Sequence, residues 1–541
     1  MTTNMELVDL LKFGRYQMYQ YFIICVPIMI VSMMNVNYIF VAEDVDHRCR
    51  VPECDIHDST LSVEIPEYWP KDIDARCYRP VLNKEKYFEN GTCSNETFTA
   101  TVEECNEWIY EHNNSIVSEL NLGCHSWKST LVGTIHNTGM MFSMSVAGWI
   151  ADKYGRKPAL IICSVGGLVG VIKMFLSNYS TYLVVEFLET LLASGLYTVG
   201  IVIMIEVGGN SKRVVTGVVF SYAIYIGEVF FALIAMGVQY WKYIVAIVYA
   251  PTALFVLYIF VLKESMRWQL VNEKISEVKE TLKFVARVNN ISVTDKEIDD
   301  LSGDELTKKL DAIKQSETEN LKDVLSSKEM TVRLAVASFC FFTSSFVYYG
   351  LAIHSVLLPG NKYTNFVLAS VTSFPSDLLA LYVLDKYGRK LTLQCSYAFL
   401  AVFLTAASFS PENLSWLTVL LFLLGKLGAV ICFTGVYTFA LELFPTSVRG
   451  TLFGICNTTA RIGSLLAPLT VLLRSEFKAL PSLLFSSTAL IAALLLIFTP
   501  ETKTLPMFDT IAQIEFHKKE NKDSVQGIDN LGLEHVKNIK V

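Results

Sequence analysis

The sequence predicts an all-α membrane protein with twelve spanning helices arranged as two six-helix halves. Three observations predict it: the places where charge is missing, the number of long apolar stretches in those places, and a hexapeptide that occurs twice.

Charged residues make up 18% of the 541 residues, against about 25% in soluble domains. They are also clustered: 25 fall in 43–126, 27 in 263–330, 13 in 501–541 and 4 in 1–18, leaving 28 for the other 330 residues. A water-soluble surface of that size needs far more charge. This excludes a soluble enzyme, a disordered chain and a nucleic-acid binder.

A helix needs about 20 apolar residues to cross the hydrocarbon. Twelve stretches qualify: 20–42, 128–150, 159–177, 182–205, 215–237, 243–262, 332–353, 364–384, 391–409, 415–440, 451–473 and 481–499. They lack period-2 alternation, which argues against a barrel. The first follows 18 mostly polar residues without a small-residue cleavage site, so it reads as an uncleaved span.

With the N-terminus inside, the short inner loops carry Lys153, Arg156, Lys157, Lys212, Arg213, Lys386, Arg389, Lys390 and Arg449. The short outer loops carry only Lys242, Lys362, Arg474 and Lys478. The bias places both termini in the cytoplasm. Loop 43–126 then lies outside and holds Cys49, Cys54, Cys77, Cys93, Cys105 and Cys124. An even set in an oxidising compartment reads as three disulfides, with about fifteen possible pairings. Sequons at Asn90, Asn95 and Asn113 in the same loop are expected to be glycosylated. The expected organisation is a cytoplasmic N-terminus (1–19), an N-terminal half (20–262), a cytoplasmic central loop (263–330), a C-terminal half (331–500) and a cytoplasmic tail (501–541).

Asp-Lys-Tyr-Gly-Arg-Lys stands at 152–157 and again at 385–390. Glu206 and Arg213 recur as Glu442 and Arg449, and Glu264 of Lys-Glu-Ser-Met-Arg (263–267) recurs as Glu501 of Pro-Glu-Thr-Lys (500–503). Three landmarks at nearly one offset mean two homologous halves. Gly155 and Gly388 permit the tight reversals. The pairs Asp152/Arg156, Glu206/Arg213, Glu264/Arg267, Asp385/Arg389 and Glu442/Arg449, with Glu501, are expected to form inner-face charge clusters that hold one arrangement and release in another.

The repeated hexapeptide resembles the loop motif after the second and eighth helices of the major facilitator superfamily. The long Cys-rich loop, Lys-Glu-Ser-Met-Arg-Trp (263–268), Glu-Leu-Phe-Pro-Thr-Ser-Val-Arg (442–449) and Pro-Glu-Thr-Lys (500–503) resemble the organic cation/anion/carnitine (solute carrier family 22-like) transporters. The resemblance covers roughly residues 12 to 510. Two positions depart from it: Met266 stands where that family usually has Pro, and Glu186 where it usually has a basic residue.

Charges inside a membrane are functional candidates by default. Here they are Glu186, Glu189, Glu228, Asp377, Lys426 and Arg461, with Lys173 nearer a helix end. Candidate aromatics are Tyr197, Tyr222, Tyr225, Phe342, Phe346, Tyr348, Tyr349, Phe433 and Tyr437. The resemblance implies an aromatic role in solute binding for Tyr348 and Tyr349 in Tyr-Tyr-Gly-Leu, for Phe433 seven residues after Lys426, and for Tyr197. At Arg461, in Asn-Thr-Thr-Ala-Arg-Ile-Gly-Ser, it implies the anion and carnitine branches, since the cation branch places Asp there. Arg461 and Asp377 together suit a zwitterion.

No phosphate-binding Gly-x4-Gly-Lys-Ser/Thr loop, metal-ligand set or cofactor motif is visible, so movement is expected to be driven by a coupling ion or an exchanged solute. The stretch 270–330 alternates charge at helical spacing and is expected to form short helices beneath the bundle. The C-terminal Ile-Lys-Val fits a PDZ groove, as does any chain ending in Val. The expected function is a secondary transporter of small organic ions in the plasma membrane, with a bilayer and a solute as its partners. An organic cation carrier, a sugar porter and a transport-dead receptor or scaffold are the alternatives.

Overall fold

The computed structural model describes residues 13–55, 63–70, 72–83, 86–87, 93–94, 97–209, 213–291, 293–303, 321–411, 413–474, 477–503, 505, 508 and 510–516. Asn90, Asn95, the Arg213 side chain and the C-terminal Ile-Lys-Val lie outside them.

Helices dominate. In chain order they are α1 (Arg15–Val41), α2 (Ser126–Tyr154), α3 (Arg156–Gly166, continued as a 3-10 stretch Gly167–Phe175), α4 (Tyr179–Ala193), α5 (Leu196–Gly208), α6 (Arg213–Gly237), α7 (Trp241–Tyr249) and α8 (Ile275–Asn289). There follow α9 (Lys328–Ser355), α10 (Lys362–Tyr387), α11 (Arg389–Ser408), α12 (Ser415–Leu443), α13 (Arg449–Leu466) and α14 (Leu480–Leu495).

Among the described residues, 10 helices are long and apolar enough to cross a membrane. They occupy ten of the twelve expected positions. The second and eleventh expected spans are helical, as α2 and α13, but are not among the ten. The reason is composition: α2 carries Thr134, His136, Asn137, Thr138 and Ser143, while α13 carries Asn457, Thr458, Thr459, Arg461 and Ser464. Many other helix faces are apolar outward: Phe22, Phe175, Phe260, Trp416 and Phe498 are largely exposed, which suits hydrocarbon as the surrounding medium.

The chain forms two compact units. The first comprises Met1–Ala312, Asn361–Ser370 and Pro468–Glu476; the second comprises Ile313–Gly360, Val371–Ala467 and Phe477–Val541. The opening residues of α10 therefore belong to the first unit, where Lys362 pairs with Glu43 at 2.5 Å and Phe40 packs between Phe231, Tyr363 and Phe366.

In the first unit, the segment after α1 folds into a small subdomain. Strand β1 (His47–Cys49) pairs antiparallel with β4 (Trp108–Tyr110), and β2 (Tyr78–Leu82) with β3 (Phe98–Glu104). The six cysteines form Cys49–Cys105, Cys54–Cys93 and Cys77–Cys124. So small a core is supported by such cross-links. Inside it, Arg48 and Asp55 form a buried ion pair at 3.1 Å, and Asp55 also accepts from Val51 N and the Tyr68 hydroxyl. These extra donors make a buried pair tolerable. Of the three sequons, Asn113 is exposed on this subdomain.

The central segment forms α8 with short helices Met266–Val271 and Asp295–Asp299 around Leu270, Val278, Leu282, Ala286 and Ile298. It is tied to α1: Tyr16 N donates to Asn289 Oδ1 at 2.8 Å, and the rings of Tyr16 and Phe284 meet edge to face.

Candidate functional site

The two hexapeptide turns are built alike. In the first unit Gly155 has φ 117° and in the second Gly388 has φ 99°, a region that glycine enters without steric cost. Each glycine also faces a carboxylate; a Cβ at Gly388 would lie 2.6 Å from Glu501 Oε2. Glu264 accepts from the N–H groups of Arg156 (2.9 Å), Lys157 (3.1 Å) and Ser265 (2.9 Å). Glu501 accepts from those of Arg389 (2.8 Å) and Lys390 (3.1 Å). Each carboxylate thus satisfies the unpaired donors at the start of α3 or α11, where the helix dipole favours negative charge. Burial nevertheless pushes the Glu264 carboxyl above its ordinary range.

The guanidinium groups complete both clusters. Arg156 binds Asp152 at 2.5 Å, the Ala151 carbonyl at 2.8 Å and Glu206 at 3.4 Å. Arg389 binds Asp385 at 3.3 Å, the Leu384 carbonyl at 3.1 Å and Glu442 at 3.0 Å. Glu442 also accepts from Thr502 Oγ1, and Arg449 Nε donates to the Phe444 carbonyl. One expected pairing is corrected. Glu264 spends its oxygens on backbone N–H groups, and Arg267 is exposed with no ionic or hydrogen-bonding partner among the described residues.

The second unit gathers most of the expected solute-binding residues. Lys426, 3% exposed, puts Nζ 3.7 Å from the centre of the Tyr348 ring and 3.4 Å from the Tyr348 carbonyl oxygen. Tyr348 packs on Phe433 at 4.8 Å, Phe433 on Tyr437 at 5.4 Å, and Tyr437 on Phe341 at 4.8 Å. Arg461 Nη1 reaches the Tyr349 hydroxyl at 3.5 Å, and Tyr349 meets Tyr348 edge to face. Asp377, 2% exposed, accepts from Thr434 Oγ1 at 2.5 Å. Phe342 and Phe346 stack beside this group, and Phe346 packs on Phe485.

In the first unit Tyr197 meets Phe220, Tyr222 meets Tyr225, and Glu228 accepts from Ser370 Oγ at 3.0 Å. A separate and denser constellation lies around Lys173, which is 0% exposed. Gly170 brings the 3-10 stretch against the Tyr249 ring, since any Cβ there would collide with it. Lys173 Nζ then bonds Glu186 Oε2 (2.8 Å), Glu189 Oε2 (3.3 Å) and the Tyr249 hydroxyl (3.2 Å). Glu186 Oε1 faces His136 Nδ1 at 2.7 Å, and His136 Nε2 faces Asn35 Oδ1 at 3.1 Å. Glu186 and Glu189, which lie early in their span, are therefore interior groups, each 1% exposed. His136, Asn35 and Tyr249 are the functional candidates that sequence reasoning missed; the one signal was a histidine inside a predicted span.

The family model for sugar (and other) transporters matches residues 85–512. The chain belongs to this family. The sugar (and other) transporter family chain is 29% identical to the organic cation transporter protein of Drosophila melanogaster, over 94% of each chain. It is 26% identical to solute carrier family 22 member 3 of Mus musculus, over 93% of this chain and 94% of that one. With organic cation transporter 1 of Caenorhabditis elegans the identity is 27%, over 95% and 88%. The inward-open structure of the xylose transporter XylE from E. coli superposes with a TM-score of 0.54 at 15% identity, covering 70% of this chain and 87% of that one; this likeness establishes the fold alone. As a member of this family the chain is a multi-pass membrane transporter, and it is similar to solute carrier family 22 proteins.

Proposed function

We propose that the chain moves small organic ions across the plasma membrane by alternating access of two six-helix halves, with twelve spans and both termini cytoplasmic. Zwitterions and organic anions carrying a carboxylate are the favoured solutes. The observation that carries this reading is a pair of cations held on adjacent aromatic residues, Lys426 on Tyr348 and Arg461 on Tyr349. Arg461 offers a planar fork suited to a carboxylate, Lys426 a compact positive charge, and the rings of Tyr348, Phe433 and Tyr437 a stacking surface. Asp377 supplies a negative group for the ammonium end of an amino acid, a β-amino acid or a carnitine-like solute. Tyr197, Tyr222, Tyr225 and Glu228 are the further solute-binding candidates in this reading. The two Asp-Arg-Glu clusters with Glu264 and Glu501 are the elements that hold and release during the cycle.

A second reading, an organic cation carrier, is favoured by the names of the relatives. In it Asp377 and Glu228 hold the cation and the aromatic faces stabilise it.

Counterflow into vesicles reconstituted with purified protein separates them, using L-carnitine, benzoate, tetraethylammonium and xylose as probes. Arg461→Ala is expected to lower uptake of carboxylate probes by about tenfold to a hundredfold, the worth of a hydrogen bond to a charged group. Wild-type uptake of tetraethylammonium alone, indifferent to Arg461→Ala, would transfer the assignment to the cation carriers. No uptake of any probe would favour a receptor or scaffold.

A further inference from the structure

The constellation around Lys173 has an uneven count of charges. One ammonium, Lys173, faces two carboxylates, Glu186 and Glu189, and all three are essentially sealed from water. A net negative charge left in such a place costs several kcal/mol, so the cluster takes up a proton, either on a carboxylate or on a neighbouring base. His136 is in position to take that proton. Its Nδ1 lies 2.7 Å from Glu186 Oε1, and its Nε2 lies 3.1 Å from Asn35 Oδ1, which also accepts from Ser194 Oγ. Both partners are acceptors, and an imidazole satisfies two acceptors only when both ring nitrogens carry a proton. With His136 as imidazolium, two positive and two negative charges cancel.

Among the described residues, the other ionisable groups facing the cluster are phenols. Tyr249 bonds Lys173, Tyr38 lies with its ring 5.0 Å from the His136 ring, and Tyr182 stands beside Glu186 and Lys173. Asn37 adds a buried amide oxygen without a hydrogen-bond partner among the described residues and an Nδ2 that reaches the Tyr249 hydroxyl at 3.4 Å. The cluster draws side chains from α1, α2, the 3-10 stretch, α4 and α7. Removing one proton therefore unbalances five segments of the first unit at once.

We propose that this cluster is a proton-binding site, that His136 carries the exchangeable proton, and that binding and release of this proton are coupled to solute movement. The coupling rests on the reading of the chain as a transporter; the proton site does not. Deprotonation leaves a net negative charge that the packed helices relieve by rearranging, so proton occupancy biases one arrangement over another.

Nitrogen-15 spectra of histidine-labelled full chain in lipid nanodiscs, with His136 assigned through His136→Gln, read the site directly. At pH 7 both His136 ring nitrogens are expected to be protonated. Glu189→Gln removes one negative charge and should leave the ring neutral at the same pH; Glu186→Gln serves the same purpose if that variant is not recovered folded. A singly protonated His136 in the unaltered chain at pH 7 would overturn the site. For coupling, vesicles containing the full chain are given a one-unit pH step with L-carnitine or tetraethylammonium as probe. The accumulation ratio should shift by about tenfold for one proton per solute, and Glu189→Gln should flatten that shift. The sign tells whether the proton accompanies the solute or exchanges with it. Accumulation indifferent to the pH step would overturn the coupling. Failure of both probes to enter at any pH would remove the transporter reading and the coupling with it, while the ring-nitrogen spectra would still judge the proton site.

Discussion

Among the described residues two lysines are buried, one in each unit, and their settings differ. Lys173 is bonded to Glu186, Glu189 and Tyr249, with both carboxylates as deeply buried as the lysine itself. Lys426 rests on the face of Tyr348 and on that residue's carbonyl oxygen. The first arrangement sets charge against charge inside a sealed cluster. The second sets the cation on the ring face and carbonyl oxygen of Tyr348, whose neighbours Phe433 and Tyr437 continue the aromatic surface. The difference separates a charge that organises helices from one suited to recruiting a ligand.

The contrast can be broken by variants that shorten each lysine to a neutral chain. Lys173→Met strands two carboxylates in the interior, and breaking a buried pair costs about 3–5 kcal/mol. Loss of the monodisperse peak and a much lower unfolding temperature in detergent are expected. An unfolding curve unchanged from the unaltered protein would contradict the structural role. Lys426→Met gives up its cation–π contact, worth about 0.5–2 kcal/mol, and is expected to lose less stability than Lys173→Met. Its effect belongs in uptake of carboxylate solutes, lowered about tenfold while the unfolding temperature stays within a few degrees. A comparable loss of stability in both variants would erase the distinction. The turns are expected to affect the cycle more than the site. Gly155→Ala and Gly388→Ala force a side chain into positive φ against Glu264 or Glu501, at about 1–3 kcal/mol each, and should slow uptake more than they weaken solute binding. Arg267→Ala, a control two residues beyond Ser265, should stay within about 0.5 kcal/mol.

The features legible in the sequence were those the sequence states more than once. The hexapeptide, the Glu-x6-Arg landmark and the Glu264/Glu501 pair announce themselves by repetition, and the matched clusters of Arg156 and Arg389 follow the same chain order. Phe433 was singled out with Lys426 by the family resemblance, and the seven residues between them, about two helical turns, put both on one face of α12. What could not be read depends on contacts between distant segments. Glu264 sits three residues from Arg267, yet two of its donors are backbone N–H groups 107 and 108 residues away and the third is that of Ser265. The pairing Cys77–Cys124 was one possibility among many. His136, Glu186 and Lys173 meet because helices pack, and no local spacing records that. The polar character of α2 and α13, which keeps them apart from the ten most apolar helices, was partly visible as His136 and Arg461, but twenty-residue windows blur single side chains.

The disulfide-bonded subdomain is fastened at both ends. Ser115 Oγ donates to the carbonyls of Val41 and Glu43 at the end of α1, and Cys77–Cys124 binds the fold two residues before α2 begins. Glu119 accepts from the Trp241 indole at 2.8 Å and pairs with Lys242 at the start of α7. A protrusion held at three helix ends cannot swivel independently of them. An antibody fragment that grips it would ride as a rigid marker on the first unit, giving image alignment a fixed landmark on a 60.7 kDa chain whose remaining bulk a micelle would hide. The same fragment, carrying a fluorophore, would serve as a stationary reference from which displacements elsewhere in the molecule are measured.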